Sequence, residues 1–384
     1  MAVDRINWSY FGELRESEGE LKYANMLIRL INEGKVNTGN FSLKGLHKSL
    51  GEPRLFREDK GLDEFLVESD LREQMDSSAF PKITGALINK MVQEGYDLAA
   101  GVGDMLVTEI EASAKDDTIV GFGAMDELKE IIEGAEYQAI EFGEKYHKIK
   151  NTKYGARIDL TEEMVRFDQT GQFINRAQNI GRMAAYKKEE IIMNAICEKT
   201  STGELASWRP GGTSTALYSD TSTDPYSPQT YDNVNTNKLA DESDIDEQII
   251  MFAAAKNEKG SLVQVVPNTI LVAPGYLGIA KKIVNSTGST LSNKSQAVIN
   301  PYQGDFQVVA SQWVQKLLSS VYWLMGDFKR EFVYTRVFPL QTSQAKPGND
   351  AEFERDVIYS WKTRLMGGCG AVSNLFVIRS TGAS

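Results

Sequence analysis

Residues 134–160 alternate apolar and polar side chains with period two, and no other feature restricts the fold as tightly. Ile140, Phe142 and Tyr146 share one parity, with Glu141, Lys145 and His147 on the other. In the following KYGARIDL, Tyr154, Ala156, Ile158 and Leu160 oppose Lys153, Arg157 and Asp159. Alternation of this kind marks strands with one covered face, and the spacing predicts a long antiparallel hairpin turning near residues 150–152. At ~3.3 Å per residue, arms of about ten residues reach roughly 35 Å. A two-stranded ribbon that long has no core of its own, so its apolar side must rest on something else.

The rest of the chain mixes helices and strands. In LKYANMLIRLI, Leu21, Ala24, Ile28 and Ile31 form one stripe, and residues 1 to about 75 read as a long arm of short elements. SSAFPKITGALINKMVQEGYD predicts a helix opened by Ser78 near Pro81, with Ile83, Leu87 and Met91 on one side. Thr161 is placed to cap a short helix whose first turn holds Glu162 and Glu163. A second helix is expected over about 172–199, with Phe173, Ala177, Ile180, Ala184, Ile191 and Ala195 on one face. At 1.5 Å per residue it is a rod ~40 Å long.

Residues 200–243, rich in Ser, Thr, Gly and Pro, read as a long loop, followed by a helix over about 245–256 capped by Asp244. NTILVAPGYLGIAKKIV predicts strand, turn and helix; NPYQGDFQVVASQWV, VYWLMGD and EFVYTRVFPL add strands. FERDVIYSWKTRLMGGCGAVSNLFVIRS predicts a strand, a glycine turn at Gly367, Gly368 and Gly370, and a partner strand. The order is α+β, with neither sustained βαβ alternation nor internal repeats.

No constellation of acid, base and nucleophile emerges. The two histidines, His47 and His147, lie in polar stretches and are expected to be solvated. Cys369, in MGGCGA, lacks a neighbouring base and reads as a small buried residue. DESDIDE lacks the central glycine and closing glutamate of a calcium loop; helix capping accounts for it. APGYLG and GVGD do not have phosphate-loop spacing. Catalytic, cofactor-binding and metal-binding residues are therefore all expected to be none, and the protein is expected not to be an enzyme. A net charge of −11 over 384 residues argues against tight nucleic-acid binding. Two distant cysteines fit a reducing compartment, and the start MAVDRINWSYF does not read as a signal peptide. No apolar run is long enough to predict a membrane span.

In the order of these pieces the chain resembles the major capsid proteins of tailed bacteriophages, with the Hong Kong 97-type fold of the Mu-like major head proteins. EGAEYQAIEFGEKYHKIKNTKYGARIDLTEEMVRFD is similar to the extended hairpin (E-loop), and QFINRAQNIGRMAAYKKEEIIMNAIC to the spine helix. PNTILVAPGYLGIAKKIV is similar to the opening of the axial domain, and WLMGDFKREFVYTR and the terminal segment to the peripheral-domain strands. The resemblance implies an N-terminal arm (1–117), an extended hairpin (118–158), a spine helix and peripheral domain with an inserted loop (159–243), an axial domain (244–345) and return strands (346–384). It implies a shell of hexamers and pentamers enclosing the DNA of a tailed phage or prophage, assembled in the host cytoplasm and ending in the virion. Portal, scaffold and decoration proteins are the implied partners, with loose contact to packaged DNA and none to membrane. Tyr137, Ile140, Phe142, Tyr146, Tyr154 and Arg157 are the expected intersubunit contacts. An encapsulin-like nanocompartment shell is the alternative on the same fold. A cysteine hydrolase using Cys369 with His147 is the alternative from another class.

Overall fold

Helices and strands are mixed along the chain, as the α+β reading requires. A computed structural model describes residues 13, 15, 17, 19–36, 41–50, 79–125, 142–199, 216–219, 232–257, 260–290, 299–345 and 357–382. The expected contacts Tyr137 and Ile140, most of the loop expected over 200–243 and part of the expected arm lie outside this set. Chain contacts divide the protein into two units. The first takes residues 1–100, 153–186 and 339–365; the second takes 101–152, 187–338 and 366–384.

The first unit packs helices on one face of a sheet. α1 (Glu20–Asn32), α2 (Leu43–Leu50), α3 (Ala79–Leu98) and α5 (Glu162–Arg166) belong to it, with residues 170–186 of α6 (Thr170–Cys197). β4 (Thr152–Thr161) and the adjoining parts of β9 (Phe332–Gln344) and β10 (Val357–Ala371) supply its strands. Tyr23, Leu27 and Ile31 of α1 and Phe80, Ile83, Leu87 and Met91 of α3 bury against Phe173, Ile158, Leu160, Tyr359 and Trp361. Phe173 meets Trp361 edge-on at 5.9 Å between ring centroids. Asp168 and Thr170 fasten the start of α2: Ser42 Oγ donates to Asp168 (2.8 Å) and Leu43 N donates to Thr170 Oγ1 (2.8 Å). In the described parts of the stretch expected as a long arm of short elements, α1 and α2 are helices that pack into this core. Their apolar stripe is also rotated: Tyr23 and Leu27 are buried and Leu21 is 61% exposed.

The second unit is built on a five-stranded sheet ordered β5–β11–β8–β6–β7. These strands are β5 (Val234–Asn235), β6 (Thr269–Val272), β7 (Gln307–Ala310), β8 (Trp323–Gly326) and β11 (Val377–Ser380). Short apolar runs such as TILV and WLMG are what a sheet covered on both faces demands. Leu271, Leu324 and Val377 enter one core with Ile192, Ile196 and Phe332. Ile270, Val272, Trp323, Met325 and Ile378 enter the other, with Ile245 and Phe252 of α7 (Glu242–Ala253) and Ile283 of α8 (Leu277–Asn285). The remaining helices are α4 (Gly103–Leu106), α9 (Gln312–Leu317) and α10 (Phe328–Glu331).

Several local expectations are corrected. Asp241 is the N-cap of α7, accepting from Ser243 N; Asp244 sits three residues on and accepts from Asp241 N, completing a capping box. Thr161 occupies the N-cap position of α5 without a side-chain cap bond. The glycine cluster is not a turn: β10 runs straight through Gly367, Gly368 and Gly370, and β11 joins a different sheet. Nor do these glycines have positive φ. They are needed for close approach, since a Cβ on Gly368 would lie 2.6 Å from Lys150 O and 3.0 Å from Ile149 Cγ2.

Gly368→Val is therefore expected to destabilise the dispersed subunit by about 1–3 kcal/mol through overpacking. Gly278→Ala, on α8 with nothing within 4 Å of its Cβ position, should instead stabilise by up to about 1 kcal/mol. Urea unfolding of both variants checks the opposite signs.

Candidate assembly site on the two-stranded ribbon

The ribbon exists, but with a different partner from the one expected. β3 (Phe142–Lys150) pairs antiparallel with β2 (Asp116–Met125), from Asp116 opposite Lys150 to Met125 opposite Phe142, with an irregularity between Phe122 and Met125. β4, expected as the other arm, lies at one edge of the four-stranded sheet β1–β9–β10–β4 that also holds β1 (Thr108–Glu111). Period two reports that a strand is two-faced and carries no information about which strand it pairs with. Among the described residues β2 and β3 form a sheet of their own. Ten residues of β2 span about 33 Å at the strand rise.

The base of the ribbon is fixed by Asn151, 1% exposed between β3 and β4. Its backbone N donates to Lys115 O (2.8 Å), and its Nδ2 donates to Ala114 O (2.9 Å) and to Asp117 Oδ2. Its Oδ1 accepts from Thr335 Oγ1 (2.6 Å), which also lies 3.1 Å from Gly368 O. Both N–H donors and one acceptor site of a single amide are thus used to hold β9 and the facing ends of β2 and β3 together. Ile149, 3% exposed, lies against Gly368 and Gly370. His147 shares its parity and is also 3% exposed, which corrects the solvated reading. Lys148 and Lys150 point outward. Asn151 and Thr335 were missed because an asparagine between two alternating runs reads as an ordinary turn residue.

The structure divides the expected contact residues. Phe142 and Tyr146 lie on β3, in register with Met125 and Val120; their side chains lie outside the described set. Tyr154 is half-buried and Arg157 exposed on β4, in the first unit, where Arg157 pairs with Asp159 at 2.8 Å.

The titratable groups of the second unit are turned to structural use. Glu189 accepts from Gly103 N (2.7 Å), Glu198 from Leu217 N and Tyr218 N, and Glu331 from Phe376 N (2.7 Å). Burial raises all three carboxyls above their usual range, Glu331 most strongly. Burial likewise pushes the Cys197 and Cys369 thiols up to about 12, so both stay protonated at neutral pH and neither is an activated nucleophile. Among the described residues no group of His, Cys, Asp and Glu is placed to hold a metal ion, and no helix is long and apolar enough to cross a membrane.

Among the described residues, the ribbon is a separate two-stranded sheet held at its base by Asn151 and Ile149. A family model described as phage capsid protein matches residues 146–379, more than half of the chain, and the chain belongs to that family. It is a phage major capsid protein, part of the virion and of its self-assembled shell. A second model, Mu-like prophage major head subunit gpT, matches residues 83–203. No match was found among curated proteins. Similar solved structures include a capsid from the cyanophage P-SCSP1u (13% identity, 73% of this chain and 88% of that one, TM-score 0.46). Gordonia phage Cozz (8%, 73% and 86%, TM-score 0.45) and the capsid of a native GTA particle (11%, 73% and 89%, TM-score 0.44) are others.

Glu331 gives a pH test. Its carboxyl is raised on folding, so its contribution to stability is complete below the ordinary carboxylate range and is lost as pH rises through the folded value. Glu331→Gln keeps an acceptor for Phe376 N and cannot titrate. The unfolding free energy of the unaltered protein should fall relative to this variant by up to about 1.4 kcal/mol per pH unit across that window. Parallel curves for the two proteins between pH 4 and 8 would show that Glu331 is not desolvated, the bounds being about those of ordinary carboxylate and neutral solution.

Proposed function

We propose that the shell this protein builds is icosahedral, made of hexamers and pentamers in the Hong Kong 97-type manner, and that it encloses the DNA of a tailed phage or prophage. The observation that carries this reading is the ribbon β2–β3, which among the described residues pairs with no third strand. A two-stranded sheet is marginal alone, and a second copy of the chain is the natural cover in a protein that assembles with itself. Contacts between unlike patches propagate into rings and closed shells. Tyr137, Ile140, Phe142 and Tyr146 are assigned to the ribbon side of this contact, and Tyr154 and Arg157 to the receiving side.

In the same reading, residues 1–117 act as the arm region, 118–158 as the extended hairpin, 159–243 and 346–384 as the peripheral domain, and 244–345 as the axial domain. The shell forms in the host cytoplasm, meets a portal at one vertex and takes scaffold or decoration proteins. Contact with packaged DNA is loose, in keeping with the net charge of −11. No catalytic step is assigned, in keeping with the protonated thiols of Cys197 and Cys369.

Replacing Ile140, Phe142 and Tyr146 together with Ser tests the ribbon. Each buried side chain contributes roughly 1.5–3 kcal/mol by apolar transfer before ordering costs. The triple variant should keep the circular dichroism and urea midpoint of the dispersed subunit while electron micrographs show no shells. An unfolded subunit would place the ribbon in the subunit's own core and defeat the reading.

A further inference from the structure

Within the first unit, α6 is packed on one side and bare on the other. α3 crosses it at two glycines: a Cβ on Gly95 would collide with Gln178 O, and one on Gly181 with Val92 O. Phe173, Ile174 and Ala177 enter the core on that side. On the far side Gln172, Asn175, Arg176, Asn179 and Arg182 are exposed, and so are Met183 at 70% and Tyr186 at 58%. At ~100° and ~1.5 Å per residue, these positions fall within an arc of about 120° and extend about 21 Å along the rod.

Every polar side chain of this face is a hydrogen-bond donor and none is a carboxylate. Residues 169–188 hold no Asp or Glu. The two carboxylates nearest Gly95 on α3 are already engaged: Asp97 accepts from Gln93 Nε2 at 2.8 Å, and Glu94 lies 3.8 Å from Lys90 Nζ. Arg29, Arg157 and Arg336 are paired with carboxylates, whereas among the described residues Arg176 and Arg182 form no ion pair. We infer that this face of α6 is the surface the shell turns to packaged DNA, with Arg176 and Arg182 against phosphates and the amides and Tyr186 donating to phosphate and sugar oxygens. The inference rests on the reading that the shell encloses DNA, and it names the contact. Side chains of these types hold a duplex by its backbone without reading bases, which suits an occupant of arbitrary sequence lying against many identical subunits. Two arginines per copy give a weak contact that many copies multiply. The net charge of −11 does not cancel it, because charges more than about 8 Å away are largely screened at physiological ionic strength. A protein partner is the poorer fit: Met183 and Tyr186 are bracketed by Asn179 and Arg182 and form no broad apolar patch.

Arg176→Gln with Arg182→Gln tests the face on the full chain. Binding of a short random-sequence DNA duplex to dispersed subunits should weaken about tenfold at low salt, and the slope of log affinity against log salt should shrink by about 1.8. Lys281→Gln with Lys282→Gln removes the same charge from exposed positions of α8 and should change the affinity less than twofold. Melting curves check that both variants keep the fold. In the unaltered protein, phenylglyoxal should modify Arg176 and Arg182 in DNA-free shells and spare them in DNA-filled ones. Equal losses in the two variants, or an unchanged salt slope, overturn the inference. Protection of both arginines in empty shells would mean that protein covers the face, and reactivity in filled shells that nothing does. Either result removes this contact and leaves the DNA-enclosing shell standing. Particles that never hold DNA would overturn that reading, and this one with it.

Discussion

The side chain of Asn151 is the fixed point from which the rest of the architecture follows. A buried amide that lost even one of its bonds would leave a polar group without water or partner, at a cost of about 1–3 kcal/mol. Here it accepts from Thr335 and donates to Ala114 and Asp117, so the chain leaving β3 is clamped where β2 begins. That clamp lets β3 and β4 be consecutive in sequence and still serve different sheets. The ribbon therefore has a defined base, and among the described residues it pairs with no strand of the other two sheets.

The two units solve the burial problem differently. The first covers one sheet face with helices, using aromatic residues of β10 as anchors, and leaves the other face to water and charge. The second buries a short-stranded sheet on both faces and closes its loops with buried carboxylates on backbone amides. A surface available for assembly follows from the first solution, because a one-sided sheet always has a second side to present. The second solution leaves little exposed apolar surface on the strands of the five-stranded sheet.

Much of this was legible in the sequence. The rod α6 is announced by apolar residues at helical spacing, and its predicted span differs from the observed Thr170–Cys197 by two residues at each end. α3, the strand-turn-helix around Pro274 and the two-faced β10 were equally clear, because each has its period written in its own residues. What escaped was everything that depends on a distant partner. β2, with Gly121 and Gly123 inside it, carries weak alternation, so β4 with its clean period took its place in the reading. The glycines near Gly368 looked like a turn because the reason for them, the backbone of Lys150, is remote in sequence. His147 looked solvated because its neighbours are lysines, although its own parity faces inward with Ile149. Of the contact residues, alternation could not divide Phe142 and Tyr146 from Tyr154 and Arg157 between two sheets.

The interleaving of the units bears on how the subunit is made. Residues 339–365 belong to the first unit and 366–384 to the second, so neither fold closes until β10 has left the ribosome. Trp361 and Tyr359 fill the heart of the helical unit, and β11 lies next to the central strand of the other sheet. Nascent chains therefore hold their earlier segments open while translation proceeds, and folding rates carry the burden of long sequence separations. A polypeptide cut short before residue 357 lacks both the aromatic anchors of the helical unit and the strand beside β8, so one truncation removes part of two cores at once.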